Sequence, residues 1–159
     1  MFSVSHTTRL PRPGEKNGKD YHFVSREEFR NLIRKRAFLE WAEIHGELYG
    51  TGKTALKKLR SSGKDVLVEV DFQGQARIKK TLPEMVSIFI LPESLAELGK
   101  RLRKRGTEKQ SELRVRLKRA RVELSKVKYY DYKVVNKEKA ITSAVRNIEA
   151  IIIAEHCRQ

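Results

Sequence analysis

The stretch that most limits the folds open to this chain is Asp65-Val66-Leu67-Val68-Glu69-Val70-Asp71. Its apolar run is near-continuous rather than alternating. That is the pattern of a parallel strand covered on both faces, and it predicts an α/β architecture. Met85 to Leu91 reads as a second buried strand stopped by Pro92, and Tyr132 to Asn136 as a third. The first run ends in acids, followed by Phe72-Gln73-Gly74. Ligands of open α/β sheets lie beyond the carboxyl ends of the strands, so Glu69 and Asp71 point to where a nucleotide or a hydrated Mg²⁺ could sit. The same acids read equally well as strand-end groups with a capping role.

The segments between follow helical and short-strand patterns. Phe2 to Ser5 reads as a strand stub and Tyr21 to Val24 as another strand. Ser25, with Glu28 completing a capping box, opens a helix to about Arg36 with Phe29, Leu32 and Ile33 on one face. Phe38 to Ile44 alternates like a strand, with Glu40 on its polar face opposite Leu39 and Trp41. Gly52-Lys53-Thr54 reads as the entry to a helix that turns Ala55, Leu56 and Leu59 inward and ends at Gly63. Gln75 to Leu82 is a short helix. Ser94 with Glu97, and Thr107 with Gln110, are capping boxes for two more helices, separated at Gly106. The second runs to about Val127 with Leu113, Leu117, Ala120 and Leu124 as its apolar stripe. The last helix, Lys139 to His156, carries Ile141, Val145, Ile148, Ile152 and Ile153 at helical spacing, read as core.

With 159 residues and 39% hydrophobic composition, the chain is large enough for one domain with a core. Its net charge of +15 attracts polyanions without choosing among nucleotide, nucleic acid and anionic membrane. A single cysteine, Cys157, excludes an internal disulfide and a multi-cysteine metal site. No apolar run reaches transmembrane length and Met1-Phe2-Ser3 opens no signal peptide, so a cytoplasmic enzyme or binding module is expected, without a membrane partner.

Chemistry concentrates in Ser5 to Val24. Arg9 and Arg12 sit on a segment broken by Pro11, Pro13 and Gly14, which exclude a helix there. Guanidinium forks suit bidentate contact with phosphate oxygens, and Ser5, Thr7, Thr8 and Tyr21 add hydroxyls. Glu15 and Asp20 can hold the forks between ligands. A solvated basic loop is the plain alternative. The run T-T-R-x-x-R-x-x-E-x-x-G-x-x-Y-x-F-V, from Thr7 to Val24, resembles the signature of guanylate kinases, with every signature position filled. The similarity extends from Phe2 to about Glu155. It implies that Arg9, Arg12 and Tyr21 hold the phosphate of GMP and that Ser5 lies against the nucleotide.

Further motifs align with the same family. A carboxylate accepts hydrogen bonds from the N1–H and N2–H edge of guanine, which adenine cannot match. By resemblance, Glu40 of F-x-E-W reads guanine, Tyr49 of Y-G-[ST] touches the phosphate, and Thr51 and Asp71 lie on the nucleoside side. Glu69 stands where the family's D-x-D-x-Q-G motif has its first acid, a conservative departure; with Asp71 it could reach Mg²⁺ through water. Arg101, Arg105 and Arg116 match the lid arginines that serve the transferring phosphoryl group. They are surrounded by Lys100, Arg103, Lys104, Arg114, Lys118, Arg119 and Arg121, a basic surface that solvation alone could explain. Asn136 of V-V-N falls on the ATP side, with Lys137-Glu138 in place of the usual acids.

Gly50-Thr51-Gly52-Lys53-Thr54 mimics the tail of a phosphate-binding P-loop. The motif requires glycine at position 47, where this chain has Glu47. Guanylate kinases normally begin with a strand, a P-loop and a helix, about 30 residues in all, the size of one strand–loop–helix element. This sequence starts after them.

The resemblance therefore implies a P-loop NTPase-like parallel sheet core, its first strand and P-loop absent, with a small mixed-sheet GMP-binding subdomain at 4–54 and a helical lid at 95–126. Residues 55–94 and 127–159 would form the core. The implied activity is transfer of the γ-phosphoryl of Mg²⁺-ATP to GMP, impaired without the loop. Two alternatives stand beside it. One is a catalytically silent GMP-binding or protein-interaction module. The other is a nucleic-acid binder driven by charge, disfavoured by the lack of aromatics among the lid cations.

Overall fold

A computed structural model describes residues 1–44, 46–105 and 110–158. The chain divides into two compact units, 1–85 and 86–159.

The first unit is built on a four-stranded sheet. Its strands are β1 (His6–Thr7), β2 (His22–Phe23), β3 (Phe38–Ile44) and β4 (Glu47–Gly52), in the order β2-β1-β4-β3. β1 and β2 are parallel; β4 is antiparallel to both β1 and β3. Helix α1 (Arg26–Arg34) covers one face. Its start is set chemically: the Ser25 side chain accepts the Glu28 N–H at 3.1 Å, as the capping pattern predicts. It ends at Arg34, just before Arg36, which takes a left-handed φ of 51°. Phe29 is fully buried and stacks on Phe38 with ring centroids 4.5 Å apart; Leu48 completes this core and Val24, Leu32 and Ile33 pack around it. Gly50 lets the rings come this close. A Cβ there would lie 3.0 Å from both Phe29 Cζ and Phe38 Cδ1.

One irregularity in β3 orients the sheet. Phe38 pairs with Gly52, but Glu40 pairs with Thr51, so Leu39 is an extra residue, a β-bulge. The bulge puts Phe38 on the α1 face and Glu40 on the other. Simple alternation correctly sets Glu40 opposite Trp41, but the exposure is the reverse of the expectation. Glu40 is 7% exposed and Trp41 41%.

Helices α2 (Lys53–Arg60) and α3 (Phe72–Thr81) complete the unit. In α2 Leu56 is buried, with Ala55 and Leu59 half-buried, and Gly63 lies beyond its end at φ 68°. α3 begins at Phe72, ahead of the expected Gln75, because Asp71 caps it: its Oδ1 accepts the Gly74 N–H at 2.9 Å.

The stretch 65–71 is not the buried strand its composition suggests. Among the described residues it forms only an isolated parallel bridge, Leu67 to Phe2, through Ser3 N–H to Leu67 O at 2.9 Å and Leu67 N–H to Met1 O at 2.7 Å. Leu67 is exposed. An apolar run becomes a sheet interior only when strands flank it on both sides, and among the described residues this one is paired only to Met1–Ser3.

The second unit holds a two-stranded parallel sheet, β5 (Ile88–Pro92) with β6 (Tyr132–Asn136) in register from Ile88↔Tyr132 to Pro92↔Asn136. A clamp sets that register: Asp131 Oδ2 accepts both Ser87 N–H (2.8 Å) and Ser87 Oγ–H (2.7 Å), and Asp131 N–H donates to Ser87 Oγ (3.1 Å). Helices α4 (Leu95–Arg105), α5 (Gln110–Leu124) and α6 (Ile141–His156) follow, with a 3₁₀ turn at Val127–Tyr129. The Ser94 hydroxyl caps α4 by accepting the Glu97 N–H at 3.1 Å. Gly106 and Thr107, the expected stop and cap between α4 and α5, lie outside the described residues. The parallel sheet among the described residues is thus two strands, not the larger core expected.

The α6 stripe divides. Ala144 is buried and Ile148 and Ile152 half-buried, but Ile141, Val145 and Ile153 are exposed. Helical spacing gave one stripe; the helix instead turns its Ala144–Ile148–Ile152 side inward. Tyr132 O–H donates to Glu155 Oε1 at 2.5 Å, tying α6 to β6. Cys157 is exposed at the helix end. No helix among the described residues is long and apolar enough to cross a membrane.

Candidate functional site

The loop after β1 is tied down at its root and organised around one carboxylate. Thr8 O–H donates to Glu47 Oε2 at 2.5 Å and its oxygen accepts the Leu48 N–H at 2.9 Å. The Arg9 guanidinium grips Glu15 bidentately, both contacts at 3.0 Å, and donates to Leu10 O at 2.7 Å. Glu15 also accepts the Arg12 backbone N–H at 2.7 Å. Gly14, at φ 86°, makes the turn possible. The Arg9 charge lies 5.4 Å from the Tyr21 ring centroid and 5.7 Å from that of Phe23. Tyr21 meets Tyr49 edge-on at 6.0 Å. Arg9, Tyr21 and Tyr49 therefore form one cluster, with the exposed Arg12 beside it through Glu15. Glu15 holds Arg9 as expected; Asp20 instead closes a turn by accepting the Lys16 N–H at 2.8 Å.

The electrostatics follow the contacts. The Arg9 hydrogen bonds, then the Arg12 N–H, hold the Glu15 carboxyl below the usual carboxylate range. Glu15 in turn raises Arg9, with a smaller contribution from Tyr49. Burial raises the Tyr21 phenol, and the charge of Glu69 adds to this.

The same sheet face carries the second group. The cross-strand pairs Thr7↔Tyr49, Ala42↔Tyr49 and Glu40↔Thr51 put these side chains on one side, opposite α1. Thr7 and Thr51 are fully buried and Ser5 is nearly so. Thr51 O–H donates to Glu40 Oε1 at 2.8 Å. Burial pushes the Glu40 carboxyl above the usual range. The Thr51 bond opposes this, Asp71 adds to it, and Arg77 opposes it. Asp71 thus stands near Glu40 while capping α3. Tyr49, two residues from Thr51, links the arginine cluster to Glu40 across one surface.

In the second unit Arg101 and Asn136 are brought together. Arg101 Nε donates to Glu97 Oε1 and Nη2 to the Asn136 carbonyl, both at 2.9 Å. α4 and α5 meet at Gly99, where a Cβ would touch Leu117 at 3.8 Å. Arg116 is half-buried on α5. Arg105 ends α4; its side chain lies outside what the structure describes.

Gly50-Thr51-Gly52 is not an anion loop. It lies in β4, and Lys53 N–H donates to Ala37 O at 2.9 Å as α2 begins. Glu69 and Asp71 supply oxygen donors of the kind Mg²⁺ takes, though no group of three potential ligands clusters among the described residues.

Sequence reasoning missed a histidine pair. His6 on β1 lies against His22 on β2, centroids 4.6 Å apart, and edge-on to Phe38 at 5.4 Å. Its buried Nδ1 has no partner among the described residues. The pair follows from the register of the two strands, which sets His6 opposite His22 and leaves no mark in the local sequence. Burial, then His22, lowers the His6 pKa below its ordinary 6.5, partly offset by Glu28. A folded pKa below the unfolded one means that the unfolded chain binds more protons between the two values. The contribution to stability is therefore complete above about pH 6.5 and is lost as pH falls toward the folded pKa. Thermal melts from pH 8 to 5.5 should show a fall that His6→Gln flattens; parallel curves for the two proteins would remove His6 as its source.

Comparison with known proteins shows the family. The guanylate kinase family model matches residues 1–155. A guanylate kinase of Caldanaerobacter subterraneus subsp. tengcongensis is 49% identical over 157 residues, covering 99% of this chain and 75% of that protein. One of Desulfitobacterium hafniense is 46% identical over 157 residues, covering 99% of this chain and 78% of its own length. The crystal structure of guanylate kinase from Anaplasma phagocytophilum superposes with a TM-score of 0.85 at 38% identity, covering 100% of this chain and 77% of the other. The class is that of nucleotide-binding kinases with a mixed α/β fold. Within it, the chain belongs to the guanylate kinase family.

Proposed function

We propose that this chain binds GMP across the β1–β4–β3 face and belongs to an enzyme that, when complete, transfers the γ-phosphoryl of ATP to GMP, giving GDP and ADP. The observation that carries this reading is the continuity of one sheet face from the Arg9–Tyr21–Tyr49 cluster to Glu40 and Thr51. Arg9, Arg12, Tyr21 and Tyr49 take the phosphate. Arg9 needs little reorganisation, because Glu15 and two aromatic rings already fix its fork. Glu40 reads the guanine edge, with Ser5, Thr51 and Asp71 on the nucleoside side.

Residues 95–126 act as the lid. Arg101, Arg105 and Arg116 stabilise charge on the transferring group, and Asn136 lies on the ATP side. Mg²⁺ arriving with ATP would be held through its waters by Glu69 and Asp71, and it neutralises phosphate charge. The 159 residues contain no G-x-x-x-x-G-K-[ST] run, so for this polypeptide we expect GMP binding with little or no turnover.

Calorimetry with GMP tests the reading. Arg12→Ala should weaken binding about tenfold or more, the cost of a charged hydrogen bond, without lowering thermal stability. Unchanged affinity would remove Arg12 from the site. A coupled ADP-release assay showing robust turnover would refute the expected impairment.

A further inference from the structure

Glu40 does not set its own position. α3 approaches β3 with Gly74 facing the carboxylate. A Cβ built on Gly74 would lie 2.9 Å from Glu40 Oε2, 3.2 Å from its carboxyl carbon and 2.9 Å from Val70 Cβ. Real Cβ atoms do not come so close to other heavy atoms, so any side chain here requires something to move. Gly74 lies in α3 and its φ is not left-handed, so backbone freedom does not explain the glycine; clearance does. One contact fixes where α3 begins and another ties it to β3. Asp71 caps its first turn through the Gly74 N–H, and Arg77, one turn on, donates to the Trp41 carbonyl next to Glu40 on β3. On its other side Glu40 is held by the Thr51 hydroxyl. The carboxylate is thus wedged between a hydroxyl on β4 and a bare Cα on α3.

We propose that Gly74 is a specificity-determining positioning residue. The absence of its side chain lets the Glu40 carboxylate keep the position from which it accepts the two N–H groups of guanine. This rests on the reading of Glu40 as the guanine acceptor. Val70 Cβ is fixed to backbone and yields little, so an added methyl at 74 displaces the Glu40 carboxylate. Misplacement penalises a ligand that offers two donors more than one that offers a single donor. IMP, which lacks the 2-amino group, is the second kind.

Gly74→Ala tests this in the full chain, with GMP and IMP affinities measured by calorimetry. The GMP:IMP affinity ratio should fall about tenfold, the loss of roughly one charged hydrogen bond. General loosening of the fold would weaken both ligands alike and leave the ratio unchanged, which would overturn the proposal. A stability cycle tests the contact without any ligand. Gly74→Ala should lower the melting temperature clearly less in a Glu40→Ala background than in the wild type, because the clashing atoms are gone; additive losses would also overturn it. If Gly74→Ala does not fold, Gly74→Ala/Val70→Gly removes the second clash and is read in the same way. Should Glu40→Ala leave GMP affinity intact, the guanine reading itself fails, whereas an unchanged ratio in Gly74→Ala with a sensitive Glu40→Ala sinks only the role of Gly74.

Discussion

Glu40→Ala is expected to weaken GMP binding at least about a hundredfold while leaving AMP binding unchanged. Two hydrogen bonds to a buried carboxylate, each about 1.5–3 kcal/mol, are removed together. The fold should tolerate the change. Burial holds Glu40 above the usual carboxylate range, so losing the charge relieves a desolvation cost that offsets the lost Thr51 bond. The GMP:AMP preference, measured by calorimetry, is the decisive quantity. A variant that still prefers GMP by the wild-type margin would show that guanine is read elsewhere.

Phe29→Ala carries the largest expected effect on stability, about 3–5 kcal/mol, the range for truncating a buried phenylalanine. Phe29 is fully buried, stacks on Phe38, and sits over Gly50 with no room for adjustment from that side. The loss is comparable with the whole stability of many domains, about 5–15 kcal/mol. Urea denaturation should show a large fall in the midpoint with an unchanged slope. A shift worth less than about 1 kcal/mol would mean that the core collapses into the space and that the stack adds little.

The parts of this protein that were legible in its sequence are those governed by neighbours in the chain. Ser25 and Ser94 name their helix starts because a cap needs only the next few residues. β3 and β6 fall where their patterns put them. Glu15 could be matched to Arg9 because the loop between them is short and turns back on itself. What failed depended on partners. Residues 65–71 have the composition of a covered strand, but composition does not say which strands lie alongside. Ile141, Val145 and Ile153 share a helical stripe with Ile148 and Ile152, yet burial follows the side that meets β6. The candidate site was readable as a set of residue types through family resemblance. Its geometry was not: neither the bulge at Leu39 nor the clearance between Gly74 and Glu40 leaves a local signature.

The bulge at Leu39 has a consequence for how this strand can vary. It is the single extra residue that lets an aromatic anchor and an acidic side chain, two positions apart, look in opposite directions. Deleting Leu39 would restore strict pairing with Phe38 and Glu40 still facing opposite ways, as neighbours opposite Gly52 and Thr51. From Glu40 on the ladder is regular, so losing one residue there, such as Trp41, would turn either Glu40 or the run from Ala42 to Ile44 to the wrong face; a length change of one fits at the bulge and not further along the strand.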